Sequence, residues 1–81
     1  MHAGILDGIR DAVEAEIRAR GSSITMAEAR DVARDALADA RVTIDLVYAA
    51  LETGPGASRF VVTRPPPRPP VRVGLADRRR P

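Results

Sequence analysis

Apolar residues recur along the first third of the chain at helical spacing. In "AGILDGIRDAVEAEIRARG", Leu6, Ile9, Val13 and Ile17 follow one another at steps of three and four, which places them on one face of a first helix. Glu14 and Glu16 each precede an arginine by four residues, Arg18 and Arg20, an order that supports an exposed helix by about 0.2–0.5 kcal/mol per pair. Gly21 then suits a left-handed cap. A second helix is announced by Thr25 followed three residues later by Glu28, the spacing of a capping box, with Ile24 placed as a hydrophobic staple and Met26 as the expected first residue. The last turn of the helical region is marked as clearly, because Thr53, Gly54 and Pro55 follow "YAALE".

Between those two signals the pattern supports two readings. In one, Ala33, Leu37, Ala40, Ile44, Val47 and Leu51 form an unbroken heptad seam, with Val42, Leu46 and Ala49 as a second apolar stripe beside it. A helix apolar over that much of its circumference is normally covered on two sides, by its own first helix and by another chain, unless both stripes belong to a core within the one chain; the two arrangements are equally compatible with the pattern. In the other, "ARVT" is a turn between two shorter helices.

After Gly56 the periodicity shortens. "SRFVVTR" and "VRVGL" are β-branched runs separated by "PPPRPP", so Arg59–Thr63 and Val71–Val73 are candidate strands of a wide hairpin. The five prolines offer no N–H groups to a ladder, which favours an extended polyproline arm instead. The expected fold class is all-α: two or three helices in a helical hairpin, then an extended Pro/Arg-rich C-terminal arm or a short β-hairpin. The expected division is a helical body over 1–53 and a basic arm over 54–81.

Charge follows the same division. All thirteen basic residues are arginine, which reflects a GC-rich coding bias more than a function. Residues 1–53 carry six arginines against ten acids, a net of −4, while residues 54–81 carry seven arginines against Asp77, a net of +6. An acidic body with a basic arm reads as a docking device for an acidic protein surface or for nucleic acid. A chain of 81 residues buries only about 60% of its unfolded surface, and with no cysteine it has no disulfide staple, so association with a partner is the expected source of further burial.

Enzyme chemistry is not expected. The only histidine is His2, no base stands near Ser22, Ser23 or Ser58, no glycine-rich phosphate loop follows a strand, and Tyr48 alone makes no site. Neither a metal nor another cofactor is expected. Glu28, Asp31, Asp35 and Asp39 form an acidic stripe that reads as a solvated face, or as a receiver for a neighbour's arginines. Asp7, Arg10 and Asp11 interrupt the N-terminal apolar residues, so neither a signal peptide nor a membrane span is expected there. The expected location is the cytoplasm, or a virion assembled in it.

The stretch "ARVTIDLVYAAL" resembles the turn and recognition helix of helix-turn-helix proteins, which commonly run like "A-G-V-S-x-x-T-V-Y-x-x-L". Ala40, Val42, Thr43, Val47, Tyr48 and Leu51 fall in register with that pattern. The resemblance implies that Val42 plugs the turn, Thr43 caps the second helix, Val47 and Leu51 face the core, and the following hairpin forms the wing of a winged helix. It also implies DNA binding. Two features depart from it: Arg41 stands where glycine is usual, and Ile44, Asp45 and Ala49 fall at base-facing positions.

The function expected first is that of a non-catalytic helical interaction protein, a small structural subunit of a multi-chain assembly of the phage-particle kind. Its partners would be copies of itself or other subunits. Arg64, Arg68, Arg72, Arg78, Arg79 and Arg80 would dock the arm on acidic groups of a neighbour, and truncation after Thr63 would leave the helices folded. Ile44, Leu46, Val47 and Leu51 would line the helical contact. The alternative is a small helix-turn-helix or winged-helix DNA-binding regulator with a basic wing or tail.

Overall fold

The computed structural model describes residues 4–64 and 70–76. Helix α1 spans Ile5–Arg20, strand β1 Ile24–Thr25, helix α2 Met26–Leu37 and helix α3 Ile44–Glu52; a 3-10 turn over Pro55–Arg59 leads into strands β2, Phe60–Thr63, and β3, Arg72–Leu75. Most of these residues are helical, but the three strands form one antiparallel sheet in the order β1-β3-β2. The fold is therefore α-helical with a small sheet, and none of its described helices is long and apolar enough to cross a membrane.

Helix α1 buries Ile9, Val13 and Ile17, three of the four residues its periodicity marks, with Leu6 half-buried against them, and ends on Gly21 at φ 73°, whose N–H donates to the Ile17 carbonyl. The pairs Glu14–Arg18 and Glu16–Arg20 form at 2.9 and 2.6 Å. At the start of α2 the capping box closes in both directions: the Glu28 N–H donates to Thr25 Oγ1 at 3.1 Å and the Thr25 N–H to Glu28 Oε1 at 2.9 Å. Ile24, expected only as a staple, also belongs to β1, where it sits opposite Val73 and is fully buried.

The unbroken heptad seam does not form, because α2 stops at Leu37 and α3 begins at Ile44. Local polar groups hold the break. Ala38 takes the left-handed conformation at φ 51°, Asp39 Oδ1 accepts the Arg41 N–H at 2.9 Å, Arg34 Nε donates to the Val42 carbonyl at 2.8 Å, and Thr43 Oγ1 accepts the Leu46 N–H at 3.3 Å. Aspartate and threonine side chains compete with helical hydrogen bonding in this way. The turn lets Val42, fully buried, point into the same core as Val47, Ala50 and Leu51. Ala40 is exposed, so the expected seam is interrupted at its middle position. Positive φ falls on Ala38, three residues before Arg41, where the helix-turn-helix pattern carries its glycine.

The extended arm is likewise replaced by a hairpin. β2 pairs with β3 in the register Phe60–Leu75, Val61–Gly74, Val62–Val73 and Thr63–Arg72. Pro65, Pro66, Pro67 and Pro69 lie outside the described residues, and the paired positions Phe60–Thr63 and Arg72–Leu75 contain no proline, so each keeps its backbone N–H for the ladder. Phe60 and Val73 are buried in the same core as Ile9, Val13, Val47 and Leu51, so residues on both sides of position 54 share one interior.

Candidate functional site

The outward face of α3 and the strand ends beside it carry the functional candidates. Because α3 directs Val47, Ala50 and Leu51 inward, its helical period turns Tyr48, Glu52, Asp45 and Ala49 the other way. Asp45 and Glu52 are exposed, and Tyr48 and Ala49 half-buried. Thr43 is exposed at the helix start, next to Arg41 in the turn.

Arg64, immediately after β2, folds over this face. Its Nη2 donates to Glu52 Oε2 at 2.7 Å, and its guanidinium carbon lies 5.3 Å from the centre of the Tyr48 ring. Tyr48 and Glu52 are four residues apart on α3, so one guanidinium reaches a ring and a carboxylate stacked on successive turns. The Glu52 carboxylate holds the Arg64 guanidinium above its ordinary pKa. At the turn, Arg41 is bonded to Asp39 through its side chain and its N–H, which keeps the Asp39 carboxyl below the usual carboxylate range. Arg72, across the hairpin, has neutral partners, donating to Ser23 Oγ at 2.9 Å and to the Ser23 carbonyl at 2.8 Å.

These positions revise the expected contact set. Arg64, expected to reach a neighbour's acid, finds Glu52 of its own chain, and Arg72 finds Ser23. Val47 and Leu51, expected in an interchain contact, are interior residues of the domain, and Ile44 and Leu46 are half-buried against that interior. Three members of the acidic stripe are engaged within the chain: Glu28 with Arg20 and Thr25, Asp31 with Arg30, and Asp39 with Arg41. Arg68, Arg78, Arg79 and Arg80 lie outside the described residues.

Two residues of structural weight carry no mark in the sequence. Glu52 becomes a site residue only because the chain returns twelve positions later with Arg64. Arg10 is buried on α1 and reaches Ala50 and Thr53 across forty or more positions. No local pattern announces pairings at such separations.

The chemistry available on α3 is narrow. The chain contains no asparagine, glutamine or lysine, and the outward arc of α3 has no arginine, so the usual donors to base edges are missing from it. The positive groups flank the helix instead, in the turn and on the hairpin. The chain matches no protein-family model, no curated protein and no solved structure.

Proposed function

We propose that this protein is a winged-helix domain that binds duplex DNA mainly through phosphate contacts from its hairpin arginines. The observation that carries this reading is the element order α1-β1-α2-α3-β2-β3 with sheet order β1-β3-β2. It is compatible with a helix-turn-helix followed by a wing: Val42 lies in the turn, Thr43 caps α3, and Arg64 and Arg72 stand at the facing ends of the β2–β3 hairpin, which supports the reading. Arginines flanking a helix supply charge and register on a duplex, while sequence readout needs base-edge donors that α3 lacks.

Fluorescence anisotropy with a random-sequence duplex tests this. Affinity is expected to fall steeply with salt, and replacing Arg64 and Arg72 by alanine is expected to flatten the log–log slope by about 0.9 for each phosphate that is no longer neutralised. Negligible duplex binding even at low salt would reject the reading.

A second reading keeps the assembly role, with a protein subunit as partner. The composition of the α3 face favours it, since Asp45 and Glu52 repel phosphate while Ile44, Tyr48 and Ala49 offer apolar surface. Concentration-dependent self-association without duplex binding is its signature.

A further inference from the structure

We propose that Glu52 is an internal competitor for Arg64, occupying the guanidinium face that a duplex phosphate would take and so holding the free protein in a weaker binding state. This rests on the duplex-binding reading and adds to it a named regulatory contact. A carboxylate and a phosphate both offer anionic oxygens to a guanidinium, so the 2.7 Å contact from Arg64 Nη2 to Glu52 Oε2 engages a donor that phosphate binding would use. The pair is exchangeable because both partners meet water, with side-chain exposures of 53% for Arg64 and 34% for Glu52. Exposed pairs of this kind contribute little to folding.

The site is also built to keep Arg64 in place during the exchange. The Tyr48 ring supports the guanidinium from α3 independently of the carboxylate. Arg72, at the other end of the same connection, bonds to the hydroxyl and carbonyl of Ser23 and meets no carboxylate among the described residues. The two arginines that bracket the connection therefore differ: one is paired with an acid of its own chain, and the other has neutral partners. Displacing Glu52 weakens binding twice, first through breaking the pair and then through a bare carboxylate left beside the phosphates. Neutralising Glu52 removes both penalties, but the first exists only while Arg64 is present.

That dependence is the test. Wild type, Glu52→Gln, Arg64→Ala and the double variant are titrated by anisotropy against a labelled random duplex of about 20 base pairs at low salt, with Asp45→Asn as a charge control on the same helix; Asp45 pairs with no described arginine. Glu52→Gln is expected to bind about three- to tenfold tighter than wild type, with a gain below about twofold in the Arg64→Ala background and a smaller gain for Asp45→Asn. Matching thermal melts by circular dichroism establish that the variants are folded, and Glu52→Ala provides a second neutral side chain. Equal gains with and without Arg64, or an equal gain from Asp45→Asn, would overturn the competitor role and leave the duplex reading standing. Absence of duplex binding by wild type and by Glu52→Gln alike would overturn both.

Discussion

Arg10 ties α1 to the C-terminal end of α3. It is only 5% exposed, and it donates from Nε to the Ala50 carbonyl at 2.7 Å, from Nη2 to the Thr53 carbonyl at 2.9 Å and from Nη1 to Asp7 at 2.6 Å. The carbonyls at a helix C-terminus lack intrahelical partners and form the negative end of its dipole, so a buried cation there satisfies them chemically and electrostatically. Gly56 makes room for this side chain, since a Cβ at that position would stand 2.7 Å from Arg10 Cδ. Arg10→Met keeps the bulk and removes the donors; a decrease of about 2–4 kcal/mol in urea denaturation is expected. Glu28 has a pH signature. The Thr25 N–H, and after it the Arg20 guanidinium, hold its carboxyl below the usual carboxylate range. A depressed folded value means that the stabilisation is fully present above the ordinary carboxylate range and is lost as pH falls through the folded value. Glu28→Gln is therefore expected to lower the melting temperature at neutral pH and to shrink the further fall seen on acidification.

At the scale of elements, the caps are local and the break between α2 and α3 is not. Thr25 with Glu28, and Gly21 after Arg20, act over three or four residues, so the end of α1 and the start of α2 were legible. The run from Ala33 to Leu51 has a period that fits one helix as well as two, and the core chooses two because Val42 must be buried. Ala38 bears the conformational cost of that choice at φ 51°. Ala38→Gly is expected to raise stability by about 0.5–1 kcal/mol, read as a shift in the urea midpoint, since a left-handed backbone is cheaper for glycine even after its larger unfolded-state entropy. No comparable gain would mean that the turn relaxes out of the left-handed region in solution.

For the whole molecule, the hairpin is part of the interior. β3 is the central strand, and its Val73 lies between Ile24 of β1 and Val62 of β2 with no exposed surface. Truncation after Thr63 removes that residue and both ladders, and it uncovers Ile24 at the start of α2. The truncated chain is expected to lose its cooperative thermal transition and most of its helical circular dichroism signal, in contrast to what a detachable arm would give. Retention of both would show that the three helices form a sufficient core alone. A domain of this size has little stability to spare, so one central strand is decisive.

What the sequence determined by itself was whatever depends on near neighbours: the inward stripe Ile9, Val13 and Ile17, the capping box at Thr25, the glycine cap at Gly21, and two β-branched runs able to pair. Only the tertiary structure decided between alternatives that share one local pattern. It ended the seam at Leu37 because the break buries Val42 from the turn and Val47 and Leu51 from a separate helix in one core with α1, and it closed the hairpin because Val73 completes the surface left by Ile24 and Val62. It also turned Arg64 back onto Glu52 and Arg10 onto the end of α3. Those pairings join residues between twelve and forty-three positions apart, and periodicity carries no information at that range, because burial of the intervening chain brings the partners together.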